Sequence, residues 1–338
     1  MRAPGTRHGG GMTFERLRQS VSRDSYSDFL PMVAWVEEEN AFLCIDDGWG
    51  QAWELIPSAY LFAHVHQALL GLLNIQFATG TVVQLHCFAD PLIDDALDAF
   101  LDLKSRPDPL IQASARRTRD YLREGTQGLD ALHGIPLRNF RLLLSIKTRK
   151  PLGHDLRRQI EEQLSKLGIT RLAPDALVTF YRRIFNGVFE NAPGVFSQGS
   201  EDMPARPVRK QLIDAGPDLV FDGPELFLGD QVARCLTPKS PARRVTAERC
   251  NRLLGGMRGA SEDSDQIGGP FLYTLNILFD HSSFEIHKRA QILSAQKAAG
   301  SFAVEVGKQI EEIGWVLDEA GNSRFVSVIP VIWVFGRD

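Results

Sequence analysis

Phe271-Leu272-Tyr273-Thr274-Leu275-Asn276-Ile277-Leu278-Phe279 is a nearly continuous run of β-prone, mostly apolar residues. A strand buried on both faces has this pattern. Long helical stretches follow between Phe284 and Val316, then a second strand pattern from Phe325 to Phe335, broken or bent at Pro330. The economical reading is a β-α-β unit whose two strands are adjacent in one sheet. The clearest strand lies upstream. There Phe140, Leu142, Leu144 and Ile146 alternate with Arg141, Ser145 and Lys147, the two-residue period of a strand wet on one side, although Leu143 puts an apolar residue on that side.

Working outward from these strands, Trp35 to Ile45 and Gln51 to Ile56 are apolar runs flanking Asp46-Asp47-Gly48, a tight-hairpin signal because Gly accepts positive φ. Ser58 caps an expected helix with the stripe Leu61, Val65, Ala68, Leu69 and Leu72, and a strand follows at Thr81 to Phe88. Asp90, followed by Pro91, is placed to cap a helix that turns Leu92, Ala96, Phe100 and Leu103 inward. Further helices are expected at Pro109 to Arg123, around Leu156 to Leu167 ending at Gly168, and from Pro174 through Phe185. Beyond a patternless stretch from Asn191 to Pro207, short strands are expected near Leu226 to Leu228 and Val232 to Leu236, with a helix from Thr246 to Leu254 and a polar loop from Ser261 to Gln266.

These elements define an α+β protein with mixed sheets and amphipathic helices in two lobes. Residues 1–12 read as a tail or tag, with Met12 a candidate start. Residues 13–190 form an N-terminal α+β lobe, 191–207 a linker and 208–338 a second α+β lobe. No short-period internal repeat is visible.

Composition narrows the function classes. The chain has 338 residues, 43% hydrophobic and 24% charged, enough for a proper core. Its 38 Lys and Arg nearly balance 42 Asp and Glu, so no whole-chain field attracts nucleic acid or anionic lipid. Cys44, Cys87, Cys235 and Cys250 form no C-x-x-C pair and read as reduced thiols. The Arg- and Gly-rich start has no apolar signal core, and no apolar run is long enough to span a bilayer. A cytoplasmic protein is expected.

No catalytic motif emerges. A P-loop needs G-x-x-x-x-G-K-[ST], but Gly307-Lys308 is followed by Gln309 and preceded by Phe302 where the first glycine belongs. Gly255-Gly256-Met257-Arg258-Gly259 lacks the dinucleotide order and reads as a helix terminus. His64 and His66 diverge by about 200° on a helix of 3.6 residues per turn. His281 and His287 are also poorly spaced for a metal. Glu262, Asp263 and Asp265 read as a solvated loop without the twelve-residue calcium pattern. No G-x-S-x-G elbow is present. Arg116, Arg117 and Arg119, then Arg182 and Arg183, then Arg243 and Arg244, read as wet helix and loop faces rather than phosphate contacts. No catalytic, cofactor-binding or metal residue is therefore assigned.

The order of segments carries more information than any single motif. The hairpin with Gly48-Trp49-Gly50-Gln51-Ala52-Trp53-Glu54-Leu55, the stretch Leu172 to Asn186, Leu228-Gly229-Asp230 before Arg234-Cys235-Leu236, and Phe271 to Phe279 together resemble the N-terminal region of TraC-like conjugative-transfer ATPases of type IV secretion systems. In that family an α+β region precedes a RecA-like ATPase domain, so the resemblance implies ATP and Mg²⁺ only for a C-terminal domain not contained in these residues. It further implies a parent function in pilus assembly and conjugative DNA transfer, plasmid-linked, at the cytoplasmic face of the bacterial inner membrane. For this region it implies oligomerisation or docking to other type IV secretion components. A free-standing enzyme with a dispersed site, or a nucleic-acid-binding module using the Arg clusters, remain the rival readings.

Overall fold

A computed structural model describes residues 27, 30–57, 63–129, 134, 136–186, 208–213, 219–228, 231–238, 267–279, 283–298, 303–319 and 326–337. Strands β1 (Met32–Val36), β2 (Ala41–Cys44) and β3 (Trp49–Leu55) open the fold, followed by helix α1 (Ala63–Asn74) and β4 (Thr81–Asp90). Two helices, α2 (Asp94–Asp102) and α3 (Pro109–Glu124), lead to β5 (Asn139–Thr148), then α4 (His154–Leu164), β6 (Thr170–Arg171), α5 (Pro174–Phe185) and the single-turn α6 (Val208–Gln211). The second part contains β7 (Leu219–Asp222), β8 (Glu225–Leu228), β9 (Gln231–Leu236), β10 (Phe271–Phe279), α7 (Ser283–Ala298), α8 (Ala303–Glu319) and β11 (Ser327–Arg337).

All eleven strands belong to one open sheet in the order β1-β2-β3-β5-β4-β10-β11-β9-β8-β7, with β6 beside β3. Every pairing among the described residues is antiparallel. The fold is α+β as expected, but the sheet is not mixed, and the connections explain why. One crossover helix, α1, does leave β3 and β4 parallel to each other, yet β5 inserts between them and pairs antiparallel to both. Similarly, β10 and β11 are neighbours as expected but antiparallel, because the helical stretch between them is two helices, running out and back, instead of one. The expected two lobes are not separate bodies among the described residues: β4 from the first and β10 from the second pair through nine residues each. The tail at 1–12, the linker at 191–207, and the helix and loop expected at 246–254 and 261–266 lie outside the described residues.

The strand order contains a long-range repeat. Outward from the central β4–β10 pair it runs β4, β5, β3, β2, β1 on one side and β10, β11, β9, β8, β7 on the other. Within each half the chain follows the same path, three successive antiparallel strands, an inner strand, a helical hairpin and the strand that pairs back onto it. A topological two-fold axis therefore passes between Leu85 and Leu275, which face each other in the register. It exchanges β4 with β10, β5 with β11, and the α2–α3 hairpin with α7–α8. Because β4 and β10 are antiparallel, the two hairpins leave from opposite ends of the sheet.

Both faces of the first half are covered. On one face, Ala52, Phe88, Leu143, Leu177, Phe180 and Ile184 join a core under α5. The other face packs Trp53, Val83, Leu144, Ile146, Ile277 and Phe279 under α1 and α4. The side of β5 expected to be wet is thus largely packed: Leu143 is buried, and Arg141 lies 5.0 Å from the Phe180 ring centre. The expected hairpin forms, but Asp47 takes the left-handed conformation with φ 59°. Gly48 instead supplies room, since a Cβ there would meet Lys147 Cε at 2.7 Å. Trp35 to Ile45 is two strands joined at Asn40, not one run, as the intervening Glu37-Glu38-Glu39-Asn40 makes the turn. Asp90 does not cap a helix; it ends β4, and α2 begins at Asp94. That later start rotates the buried face onto Ile93 and Leu97, leaving Ala96 and Leu103 exposed.

Candidate functional site

Polar side chains collect on the two-fold axis. In β4 and β10 the positions flanking Leu85 and Leu275 are Gln84, His86, Thr274 and Asn276, all on one face by the two-residue strand period. Gln84 Nε2 donates to Asn276 Oδ1 at 2.6 Å, and His86 Nδ1 lies 3.0 Å from Thr274 Oγ1. The axis carries Gln84 onto Thr274 and His86 onto Asn276, so these two contacts are images of each other. Ser145 of β5 extends the row, donating to Gln84 Oε1 at 3.0 Å with its oxygen 3.2 Å from His86 Nε2. Asn276 Nδ2 donates to the Ile329 carbonyl of β11 at 3.0 Å.

A histidine beside a serine invites comparison with a nucleophile and its base, but the chemistry differs. The Ser145 proton is directed at Gln84, and hydroxyls occupy both ring nitrogens of His86 where a triad would place a carboxylate on one. Burial among packed strands disfavours the imidazolium and lowers the His86 pKa to about 4, so it is a weak base at neutral pH. What the arrangement does well is fix register. A one-residue slip of β10 against β4 would turn Thr274 and Asn276 to the apolar face and leave Gln84 and His86 without these partners.

A charged cluster lies farther along the same face. Asp90 is fully buried and meets Arg183 at 2.9 Å, while its Oδ1 accepts the Leu92 N–H at 3.0 Å. Burial raises the Asp90 pKa against the opposing pull of Arg183, and burial lowers that of Arg183. Arg141 makes a two-pronged pair with Glu54, at 2.7 and 3.1 Å. Arg182, on α5, donates to the Gln211 carbonyl of α6. Arg182 and Arg183 are therefore not the wet face expected of them; they tie α5 to the strand end and to α6. The sequence signal for this was the amphipathic stripe of α5, which leaves Arg183 beside Phe180 and Ile184 on the inward side.

The remaining candidates disperse. His64 and His66 are exposed on α1, and Gly307-Lys308 lies inside α8, where its N–H groups serve the helix. Arg116 and Arg117 are exposed on α3, with Arg119 paired to Asp120. Cys44 is buried, Cys87 half-buried and Cys235 exposed. No group of three metal-ligating side chains occurs among the described residues. Cys250, His281, the 255–259 glycines, the 262–265 acids, Arg243, Arg244 and the His287 side chain lie outside the description. No helix among the described residues is long and apolar enough to cross a membrane.

The family profile described as TraC protein matches residues 26–338, which takes in every described element. No curated protein matches the chain.

Proposed function

Since this chain belongs to the TraC protein family, linked to conjugative type IV secretion, we propose that its 338 residues act as a non-catalytic assembly and docking unit of that machinery. In this reading they correspond to the N-terminal region of a TraC-like secretion ATPase, serving pilus assembly and DNA transfer at the cytoplasmic face of the inner membrane. Its partners are other secretion components. ATP and Mg²⁺ belong to a domain outside these residues.

One observation carries the non-catalytic reading. Triphosphate binding of the P-loop kind needs a strand, a glycine-wrapped turn and a helix whose N-terminus faces the phosphates. Here the Gly-Lys pair sits within α8, and every strand pairing among the described residues is antiparallel. The arginines also argue against a continuous phosphate-binding surface, because Arg183 is buried against Asp90 while Arg116 and Arg117 are exposed on α3. The test is ATP binding and turnover by the purified chain. Neither is expected; robust hydrolysis abolished by a point mutation within these residues overturns the proposal.

A further inference from the structure

Among the described residues the sheet has a gap beside β11. Phe335 N donates to the Pro270 carbonyl at 2.9 Å, so the odd-numbered residues of β11 turn their backbone groups towards β10. Val328, Pro330, Ile332 and Val334 therefore point theirs the other way. Ile332 and Val334 meet Leu236 and Arg234 of β9, and the β9 pairing goes no further than Ile332. Val328 and Pro330 thus face no strand among the described residues. Their edge offers one N–H and two carbonyls, because proline has no N–H to give.

The two-fold axis shows what fills this edge in the other half. It carries Leu142 and Leu144 of β5 onto Val328 and Pro330, and those two residues pair with Leu55 and Trp53 of β3. Leu172 N donates to the Ala52 carbonyl on the β6 side at 3.0 Å, so Trp53 and Leu55 turn their backbone groups to β5. By the same register Gly50 maps onto Cys235, and hence Trp53 onto Pro238. Pro238 lacks the N–H that the place of Trp53 in the ladder requires, and β9 stops short of it. Apolar side chains flank the gap on both faces: Val328, 50% exposed, with Leu236 on one, and Ile329, 55% exposed, on the other. No charged residue guards the edge between Ser327 and Val331.

We infer that this gap is a docking site for an extended segment of a partner protein, apolar on both sides, which pairs antiparallel with β11 as Ala52 to Leu55 pair with β5. Strand addition of this kind takes affinity from main-chain hydrogen bonds and selectivity from the flanking side chains. The shape favours a single segment over a second copy of the chain. The edge is recessed behind β9, β8 and β7, and a second copy would have to bring an equally recessed edge past that corner. So short a pairing is weak, with a dissociation constant on the order of 10–100 µM for an isolated peptide.

This inference deepens the docking reading and rests on it; ATP turnover tests that reading and peptide binding tests this one, so the two failures are distinguishable. The probe is a fluorescein-labelled peptide with the sequence of residues 48–57, the segment that fills the equivalent edge, titrated with the full chain by fluorescence anisotropy. Saturable binding is expected. N-methylation of the peptide at the Trp53 or Leu55 position should weaken it about tenfold or more, while N-methylation at Glu54 should leave it unchanged, since only alternate N–H groups face β11. I329K should also weaken binding about tenfold, with circular dichroism checking that this exposed substitution preserves the fold. Hydrogen exchange of the Val328 amide should slow in the complex. Absence of saturable binding overturns the inference, as does an equal loss at all three N-methyl positions, which would mean apolar contact without strand pairing. Protection of β1 or β7 in place of Val328, or a sedimenting dimer that the peptide dissociates, also overturns it.

Discussion

The first and second halves share a strand order yet differ in what covers them. In the first, α4 and α5 clamp β3, β5 and β4 from opposite faces, and Leu143 is 2% exposed. Its image in the second half is Ile329, since Leu143 pairs with His86 and Ile329 with His86's counterpart, Asn276. Ile329 is 55% exposed, and Val328, Leu236, Val220 and Phe221 of the same half are also open. One path of the chain through a sheet is therefore compatible with a fully packed core and with an exposed apolar surface. Topology decides neighbours along the hydrogen-bond direction; only the layers above and below decide burial.

The largest expected difference between the halves is in the energetic weight of that pair of images. Leu143→Ala should cost about 2–5 kcal/mol, the range for emptying a packed site, while Ile329→Ala should stay within about 0.5 kcal/mol. Denaturant unfolding of the two variants compares them, and equal costs would break the distinction between covered and open halves.

The second contrast is between His86 and its image, Asn276. The folded His86 pKa of about 4 lies below the ordinary 6.5, so as pH falls through 6.5 the unfolded chain takes up a proton that the folded chain refuses. Its contribution to stability is present above the ordinary value and is lost as pH falls towards 4, by about 2–3 kcal/mol for a shift of this size. His86→Asn, which gives β4 the residue of β10, should flatten that part of a stability-against-pH curve. A slope that survives the substitution would assign the effect to another group.

Two smaller tests sharpen the symmetry itself. Double-mutant cycles on Gln84 with Asn276 and on His86 with Thr274 should return similar couplings of about 1 kcal/mol, as images of one contact. Strongly unequal values would mean that the axis is topological only. At the outer turns, Gly223 has φ 57° and Asn40 has φ 51°. Gly223→Ala should cost about 1 kcal/mol in backbone strain, and Asn40→Gly only a few tenths, because Asn tolerates the left-handed region. Thermal unfolding resolves the difference.

Much of the architecture was legible along the chain. The alternation in Phe140 to Lys147, the stripe of α5 after Pro174 and the apolar run Phe271 to Phe279 each reported a local period, and each formed the expected element. Legibility failed where two local signals competed. Asp90-Pro91 has the chemistry of a helix start, but a buried Arg183 held Asp90 at the strand end. The polar axis was available as Gln84-x-His86 and Thr274-x-Asn276, polar residues at strand spacing within apolar runs, yet nothing local says that the two pairs meet.

The sequence by itself determined where most of the strands and helices form, the α+β class and the lack of a P-loop motif, because all of these depend on neighbours within a few turns. Only the tertiary structure decided that the strands join in one antiparallel sheet, that its halves repeat one order about Leu85 and Leu275, and that Asp90 pairs with Arg183. Strand pairing and burial arise between residues far apart in the chain, where no short-range periodicity selects one partner over another.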